Sequence, residues 1–336
     1  NTIDSKNAGL NVSKSLQLID PTFFNIKTSK IAAKNSQIML QETKKNVTIA
    51  IFNKYISVLQ IAANLKIAEN NYTIQQQVYD VSKIKHQLGN LSDYDLQTSE
   101  VNLITQEIQV KELENNYKEI RQALFSYINM EDDGAELQEP EITVSIPKIE
   151  NYENNNIMMK MNNLRTQKIS LFQQKLNLYP MPVISASYNN SATNDIFEAD
   201  NYEDNVSFGL NVSYDLFDIP TLRNNFVNSQ RDLLASELNL RDAIRENKSN
   251  IETTLLKIEA LESTFELYKK KLKIAGNNLD KAKEQYELGL ISITEFERAR
   301  VDLFSAEITK NNKYYSLLLK QEELNLLLSN NILGKY

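Results

Sequence analysis

The chain has 336 residues and a formal net charge of −7, and this acidic character argues against nucleic acid as a partner. It contains no cysteine, which excludes disulfides and thiolate metal sites. Its single histidine, His86, argues against histidine-based metal sites and Ser-His-Asp triads, so we expect no catalytic residues, no metal and no cofactor. Only seven glycines and six prolines occur, and so few helix breakers predict long uninterrupted elements.

Two short motifs recur at an offset of 200 residues, which indicates an internal duplication. The pentapeptide Gly9–Ser13 returns as Gly209–Ser213, and Leu88-Gly89-x-x-Ser92 returns as Leu288-Gly289-x-x-Ser292. We interpret each copy as a strand, a long helix, a tight turn and a second helix. By the same arithmetic we expect about 70 further residues upstream of the first copy.

The duplication divides the chain into three parts. Residues 1–130 form the first repeat, which we expect to be incomplete at its N-terminus. Residues 131–156 form a linker, because this stretch combines Asp132-Asp133-Gly134 with two prolines. Residues 157–336 form the second repeat, with a helix, a β-hairpin at 179–218, a long helix, a turn and a final helix.

The first repeat opens with apolar and polar residues that alternate from Ala8 to Leu18, a pattern typical of a strand. Lys14 alone breaks the apolar face of this strand. Pro21 then precedes a long helical pattern, since proline is tolerated in a first helical turn but not in a helix interior. The seam of this helix is predicted to run through Ile61, Leu65, Ala68, Tyr72 and Tyr79.

Each long helix is predicted to stop at a Leu-Gly pair, where the glycine suits the left-handed conformation of a C-terminal cap. The serines that follow, Ser92 and Ser292, are the expected N-caps of returning helices. Asp95 and Glu295 then stand at the third helical position, where a carboxylate stabilises a helix N-terminus. The second returning helix is predicted to end near residue 330.

The second repeat contains the clearest strand signal. From Val206 to Leu216 apolar residues alternate with polar or small ones, so one face of the strand is apolar and the other polar. Ile184–Tyr188 is its predicted partner, and the polar segment Asn189–Asn205 is a predicted hairpin loop. A heptad seam is predicted along the following helix through Phe226, Leu233, Leu240, Ile244, Ile251, Ile258, Leu261, Phe265, Tyr268, Leu272, Ala275, Leu279, Ala282 and Tyr286, with polar interruptions at Gln230, Glu237, Asn247 and Thr254.

Neither the strands nor the helices find enough partner surface within one chain. Three or four amphipathic strands cannot close a barrel, and an isolated hairpin is marginally stable. Several chains together would close the strands into a shared membrane barrel and join the helices into a coiled-coil tube. Three alternatives fit the sequence less well. A coiled-coil scaffold would give the alternating strand no role. A pore-forming toxin would need an apolar insertion segment and an enzyme would need a set of catalytic residues, and neither is recognisable in the sequence.

The order and spacing of four motifs resemble the TolC-like outer membrane efflux protein family over nearly the whole chain. The motifs are Tyr179-Pro180-x-Pro182, Tyr214–Asp218, Leu88-Gly89-Asn-Leu-Ser92 and Tyr286-Glu-Leu-Gly289-Leu-Ile-Ser292. The resemblance implies a mixed α/β membrane protein that forms a homotrimeric outer-membrane β-barrel. Each protomer would give four strands, the first of which would be missing here, and the barrel would continue into a long α-helical coiled-coil tunnel in the periplasm. Residues 131–156 would form an equatorial linker.

The resemblance further implies a passive exit duct rather than an enzyme. Such a duct lies in the outer membrane of a diderm bacterium and serves a tripartite efflux or type I secretion system. Its expected partners are two further copies of the chain, outer-membrane lipid, a periplasmic adaptor and an inner-membrane pump of the RND, ABC or MFS type. The alternative is a periplasmic coiled-coil scaffold or adaptor protein without a membrane barrel.

The resemblance also implies two sets of functional residues near the turns. Asp95 and Glu295 match acidic rings at the periplasmic gate, and Tyr286 matches a gating tyrosine. Arg298 lies near a second acidic position, whereas Ile291 stands where the family has a gating arginine. The adaptor-docking tips are Leu88, Gly89, Leu91 and Ser92 in the first turn and Leu288, Gly289, Leu290 and Ser292 in the second.

The same tip residues also suit an ordinary structural role. Both glycines are plain C-caps on that interpretation, and Asp95 and Glu295 stabilise the helix N-termini through capping and the helix dipole. The two roles are compatible, because a cap at this position is expected to expose the neighbouring Leu91, Leu290 and Ile291 to a partner.

Overall fold

The computed structural model describes residues 7–17, 20–140, 154–193, 200, 202–214 and 216–328. The elements follow one another in the order β1 (Asn7–Gln17), α1 (Pro21–Gln87), α2 (Asp93–Ile128), α3 (Asn155–Leu176), β2 (Met181–Thr193), β3 (Glu203–Ser213), a short 3-10 turn (Leu216–Asp218), α4 (Ile219–Glu287) and α5 (Ile293–Leu327). The ends of α1 and α4, and the starts of α2 and α5, are 200 residues apart, so the duplication is present in the fold. Among the described helices, no stretch combines the length and the hydropathy that crossing a bilayer requires.

The first strand of the hairpin is longer than predicted, and the second has the predicted length but begins and ends three residues earlier. The loop was expected at Asn189–Asn205, but β2 continues to Thr193 and β3 begins at Glu203. The polar residues at the end of β2 pair with both neighbouring strands, and Asn189, for example, opposes Asn11. Ladder pairing on both sides therefore overrides their preference for turns. Of the predicted loop, residues 194–199 and 201 lie outside the described residues.

The chain divides into two compact units that cut across the two repeats. The first unit comprises Asn1–Leu40 and Asn155–Arg245, and the second comprises Gln41–Asn154 and Glu246–Tyr336. Each unit therefore contains part of both repeats. The sheet belongs to the first unit, and both helix turns belong to the second.

The sheet of the first unit has three antiparallel strands in the order β1-β2-β3. Ser187 of β2 opposes Ser13 and Ser207, and its hydroxyl lies 2.6 Å from the Ser207 hydroxyl. Ile184, on the other face, opposes Leu210. Because side chains alternate along each strand, one face of the sheet is polar and the other is apolar, as the sequence predicts.

Three clusters of buried side chains hold α1, α4 and α5 together in the second unit. Two of them pack apolar residues of α1 against the second repeat, and the third joins α4 to α5, so the two repeats are joined by a shared core. The clusters consist of Val78, Leu279, Ala282, Tyr286, Ile293 and Phe296 (the tip cluster); of Phe52, Ile56, Leu59, Tyr315 and Leu318; and of Ile251, Ile258, Leu317 and Leu324.

The seam of α1 differs from the prediction. Of the five predicted seam residues only Ala68 is buried, and the other four are half-buried. The prediction was wrong because it followed apolar residues, whereas amide and hydroxyl side chains occupy four of the six buried positions between residues 64 and 82. Between residues 64 and 82 the buried residues recur at spacings of four and three, and they are Asn64, Ala68, Asn71, Gln75, Val78 and Ser82.

The seam of α4 follows the prediction in the second unit but not in the first. In the second unit the predicted interruptions Asn247 and Thr254 are buried together with Ile251, Ile258, Ala275, Leu279, Ala282 and Tyr286. In the first unit the buried face is shifted by one residue. Ser229, Ser236 and Ala243 are buried in place of the predicted Gln230, Glu237 and Ile244.

Candidate functional site at the helix tips

Both helical hairpins of the second unit end in the same turn. Gly89 and Gly289 have φ angles of +75° and +74°, a conformation that costs a residue with a side chain about 1–2 kcal/mol. The Gly289 amide donates to the Tyr286 carbonyl at 3.0 Å, and the Leu290 amide donates to the Gln285 carbonyl at 2.8 Å. The first turn makes the equivalent pair of bonds. Both glycines therefore cap their helices as predicted.

The serines after the turns begin α2 and α5 as predicted. The Ser92 hydroxyl oxygen accepts a hydrogen bond from the Asp95 amide at 3.1 Å, and that of Ser292 accepts from the Glu295 amide at 3.3 Å. The Glu295 carboxylate also accepts from the Ser292 amide at 3.0 Å, which completes a capping box. The Asp95 carboxylate accepts from the Ser92 hydroxyl at 2.7 Å. Both carboxylates are therefore held beside the turns by capping contacts.

The tips expose some of their apolar residues and bury others. Leu88, Leu288 and Leu290 are exposed, with Leu288 reaching 75% of its full accessible surface. Leu91 and Ile291, which were expected to be exposed, are only half-buried. Ile291 packs against the tip cluster, and this core contact explains why the residue turns inward.

Tyr286 joins the two repeats near the tips. Its side chain is only 4% exposed, and its hydroxyl lies 2.8 Å from the Ser82 hydroxyl of α1. Its ring stacks on Phe296 with the ring centroids 5.5 Å apart. The Lys85 ammonium lies 4.1 Å from the ring centroid and also donates to the Tyr286 carbonyl. The last turns of α1 and α4 are therefore linked by hydrogen bonds and by a cation–π contact.

The buried position of Tyr286 affects its acidity. Burial raises the pKa of the Tyr286 hydroxyl, the Ser82 hydrogen bond opposes this shift, and the negative charges of Asp95 and Glu297 add to it. Burial also lowers the pKa of the Lys85 ammonium, and a nearby glutamate opposes that shift. At neutral pH Tyr286 is therefore a neutral hydroxyl that donates or accepts a hydrogen bond.

Arg298 and Glu295 lie together, apart from the tyrosine contacts. Both residues line an open groove of about 560 Å³ between α4 and α5, which also contains Asp302 and Lys271. Arg298 is exposed, whereas Tyr286 lies in the tip cluster and its hydroxyl is hydrogen-bonded to Ser82 of α1. The structure thus groups two of the four predicted gate residues in one groove, and Asp95 lies on the other hairpin.

Comparison with known proteins identifies the family that this chain resembles. Residues 171–330 match the model of the outer membrane efflux protein family. The resemblance to the TolC-like family is confirmed. No curated protein matches the chain in sequence.

Solved structures of membrane proteins share the fold over nearly the whole chain. The CmeC outer membrane channel of Campylobacter jejuni is 14% identical, with a TM-score of 0.76 over 97% of this chain and 78% of CmeC. The outer membrane protein VceC of Vibrio cholerae is 13% identical, with a TM-score of 0.78 over 97% of this chain and 87% of VceC. A membrane protein from Pseudomonas aeruginosa is also 13% identical, with a TM-score of 0.79 over 96% and 81% of the two chains. The family is one of passive channels rather than enzymes.

A buried polar network near the tips was missed by the sequence analysis. The Arg300 guanidinium donates to the Glu297 carboxylate at 2.8 Å and to the Asn71 side-chain carbonyl at 2.7 Å. Asn71 in turn donates to Gln106 of α2. Residues of α1, α2 and α5 are therefore connected through one buried arginine, which is 3% exposed. The sequence signal was the set of polar residues at core spacing in α1, which includes Gln75.

The linker after α2 is fastened by a second arginine. The Arg121 guanidinium binds both carboxylate oxygens of Asp132 at 2.6 Å and donates to the Ala135 carbonyl at 2.8 Å. The hydrogen bond from Arg121 lowers the pKa of the Asp132 carboxyl below its usual range. The Tyr315 hydroxyl of α5 donates to Glu139 at 3.0 Å. The described part of the linker is therefore tied to α2 and α5.

Proposed function

We propose that the chain is the protomer of a trimeric exit duct in the outer membrane of a diderm bacterium. Each protomer gives strands to a shared β-barrel, and its helices form a tunnel in the periplasm. The duct is passive and serves a tripartite efflux or type I secretion system, in which a periplasmic adaptor and an inner-membrane pump deliver the substrate. The observation that carries the proposal is the two-faced sheet of the first unit.

The apolar face of the sheet has no cover within the described residues. Phe208 and Leu210 of β3 are 82% and 70% exposed, and Leu10, Val12 and Val206 are each more than half exposed. Exposure of such a face to water is unfavourable, because each exposed aliphatic or aromatic side chain lacks the roughly 1.5–3 kcal/mol that its burial would contribute. Lipid outside and a polar lumen inside satisfy both faces, and closure of the sheet by further copies satisfies the strand edges.

The adaptor is proposed to dock on the exposed leucines of the tips. Leu88, Leu288 and Leu290 project from turns whose backbone is held by capping bonds, so they form rigid apolar contacts of the kind that a partner helix recognises. Leu91 and Ser92 in the first tip, Ser292 in the second, and the glycines of both turns complete the docking residues.

The gate is proposed at the same end of the tunnel. Three-fold symmetry brings three copies of Asp95 and three of Glu295 close to the axis, where like charges repel one another and attract cations. Arg298 lies in the groove of Glu295 and partly offsets that charge. Tyr286 links the hairpins of the two repeats, so we assign it the role of holding the closed arrangement.

The first experiment measures the mass of the full-length protein by light scattering, with and without detergent. A trimer that requires detergent supports the duct. A monomer or dimer that stays soluble in plain buffer contradicts it and favours the periplasmic coiled-coil scaffold.

A matched pair of lysine substitutions tests the sheet faces. Leu210→Lys places a charge on the apolar face, where a lysine at mid-bilayer costs about 2–4 kcal/mol, so the amount of assembled protein in the outer membrane should fall. Asn211→Lys places the same charge on the polar face, and the protein should assemble normally with a shift of ion selectivity towards anions. Equal assembly of both variants contradicts the barrel.

Docking is tested by efflux in cells that contain the cognate adaptor and pump. Leu290→Ser should abolish efflux without changing the amount of trimer in the membrane. Leu238→Ser, an exposed leucine elsewhere on α4, is the control and should leave efflux unchanged. Normal efflux by the Leu290 variant contradicts docking at this tip.

A further inference from the structure

The helices next to the sheet are basic, although the whole chain has a net charge of −7. α3, which leads into β2, contains four basic residues and no acidic one. Residues 21–40 of α1, which follow β1, contain three lysines and no acidic residue. These segments and the sheet belong to the same compact unit. Positive charge is therefore concentrated in the helices that adjoin the sheet.

The alignment of α1 and α3 places one of these basic residues beside the sheet. The Phe24 ring lies 6.0 Å from the Phe172 ring, and the Asn162 side-chain amide donates to the Asn35 side-chain carbonyl at 2.7 Å. The two helices therefore run antiparallel. α1 begins three residues before Phe24, and Lys175 stands three residues after Phe172, so Lys175 is level with the first residue of α1. It is exposed at the end of the helix pair from which the strands continue.

The side chain of Lys27 extends towards the same level. Its ammonium lies 4.2 Å from the centroid of the Phe23 ring. Because Phe23 stands one helical turn closer to the sheet, the charge of Lys27 lies closer to the sheet than its own backbone does. Lys27 is exposed, and Phe23 is 54% exposed. The pair therefore presents a cation and an aromatic ring at the start of α1.

Lys14, the residue that breaks the apolar face of β1, approaches this level from the sheet. It is exposed and opposes Ala186, whose small side chain leaves space for the lysine stem. The pKa of the Asp20 carboxyl, just before α1, lies below its usual value. Hydrogen bonds from Thr22 are the main cause, and the positive charge of Lys14 adds to the shift. The charge of Lys14 therefore acts on the start of α1.

None of these three lysines forms an ion pair with another of the described residues. Lys14 stands three residues before the end of β1, which is about 10 Å along the strand and about 7–8 Å in depth for the tilt of a membrane barrel. Its four-carbon stem spans much of that depth, so the ammonium can reach the membrane surface. The three charges thus lie at the level where lipid headgroups begin.

We propose that Lys14, Lys27 and Lys175 bind the headgroup of an anionic phospholipid in the leaflet on the helix side of the sheet. The phosphate accepts hydrogen bonds from the ammonium groups, and an acyl chain lies on the apolar face of the sheet beside Leu16. Phe23 lies among the headgroups, where aromatic side chains are favoured. A zwitterionic lipid binds less tightly, because its own cation offsets its phosphate. The inference rests on the proposed barrel and names the lipid class that its rim selects.

The test uses the absence of tryptophan from the native chain. Phe23→Trp places one fluorescent reporter beside Lys27 in the full-length protein, which is reconstituted into vesicles of equal amounts of phosphatidylcholine and phosphatidylglycerol. Only one of the two lipids carries bromine on its acyl chains in each sample. Bromine quenches a neighbouring indole, so the two quenching strengths report which lipid is adjacent. Brominated phosphatidylglycerol should quench several-fold more strongly than brominated phosphatidylcholine.

Loss of the lysines should remove this preference without moving the reporter. With Lys27→Gln and Lys175→Gln added, both lipids should quench equally, because the indole stays at the same depth. High salt should also reduce the preference. Arg241→Gln, at an exposed cation about 33 Å along α4 from its start, is the matched control and should leave the preference unchanged.

A second reporter checks the depth. Leu234→Trp, at an exposed leucine about 22 Å along α4 from its start, should be quenched by neither lipid. Quenching of this reporter as strong as that of Phe23→Trp would mean that the lipid level is wrongly placed and would overturn the site.

The outcomes separate this inference from the duct itself. A detergent-dependent trimer whose Phe23→Trp reporter is quenched equally by both lipids, or keeps its preference without the lysines, overturns the lipid site and leaves the duct. Loss of the preference on addition of soluble glycerol phosphate would show a site for free phosphate and also overturn the inference. A protein that neither forms a trimer in detergent nor binds the vesicles overturns both proposals.

Discussion

The Tyr286→Phe substitution tests whether one hydrogen bond holds the two helix tips together. It removes only the hydroxyl that lies 2.8 Å from the Ser82 hydroxyl, and the ring keeps its stacking on Phe296. A net hydrogen bond between neutral groups contributes about 0.5–1.5 kcal/mol. Ser82 also donates to the Val78 carbonyl at 2.8 Å, so the substitution leaves no unpaired donor behind. We therefore expect a loss near the middle of that range, about 1 kcal/mol.

The effect should be local, so the assay must report local opening. The Leu290 amide donates to the Gln285 carbonyl within the turn, and its hydrogen exchange measures how often the tip opens. A loss of about 1 kcal/mol corresponds to roughly fivefold faster exchange at this amide. Amides in the middle of α4 should exchange at the parental rate.

A double-mutant cycle decides whether the bond is responsible. Ser82→Ala and the Tyr286→Phe/Ser82→Ala double variant are measured in the same way, and the double variant should lose much less than the sum of the two single losses. Tyr94→Phe, at an exposed tyrosine of the other hairpin, is the control and should not change exchange at all. Strictly additive losses would refute the hydrogen bond as a link between the hairpins.

Three further predictions concern the turns, the gate and the linker. Gly289→Ala should lower the free energy of unfolding by about 1–2 kcal/mol in a urea titration, because its Cβ would meet nothing but its φ is left-handed. Gly276→Ala, inside α4 with equally open space around its Cβ, should instead raise the free energy of unfolding by about 0.4–1 kcal/mol. Changes of the same sign in both variants would contradict the role of the left-handed φ. Replacement of Asp95 and Glu295 by Ala should weaken cation preference and block by multivalent cations in bilayer recordings, and unchanged values would remove both from the gate. The hydrogen bond from Arg121 lowers the pKa of Asp132, so the contribution of this carboxylate to stability is complete above the unfolded pKa of about 3.9 and is lost as the pH falls through the lower folded value. Protease cleavage of the linker should therefore rise only in strong acid. The Asp132→Asn variant should be cleaved readily at neutral pH.

Local signals were sufficient to predict the helix ends. A glycine with a left-handed φ and a serine N-cap act within a few residues, so Gly289 and Ser292 could be located from the sequence alone. The seam of α4 was also predictable in the second unit, because most of its core positions there are apolar. The offset of 200 residues then located the equivalent positions in the first hairpin, where the turn has the same geometry.

The core of α1 could not be predicted in the same way. Asn71 and Gln75 are polar residues at buried positions, and their apolar neighbours gave a regular but displaced pattern. The partner that makes Asn71 a core residue is Arg300, which lies 229 residues further along the chain. No local pattern contains that information, since only the pairing of the two repeats brings the residues together. The predicted gate residues were assigned one by one for the same reason, whereas the structure groups Glu295 with Arg298 and Tyr286 with Ser82.

The polar seam of α1 affects the cost of separating that helix from its neighbours. Leucines at the same positions would contact water unfavourably if α1 and α5 moved apart, and the penalty would grow with every ångström squared exposed. Amides such as Asn64, which accepts a hydrogen bond from Asn311 at 2.7 Å, can exchange their protein partners for water with little change in free energy. Directional bonds of this kind also disfavour a shift by one heptad, since the partners would no longer be opposite one another. This polar part of the interface can therefore be separated at lower cost than the apolar clusters on either side of it and can return to the same alignment, a property that would suit the proposed tunnel.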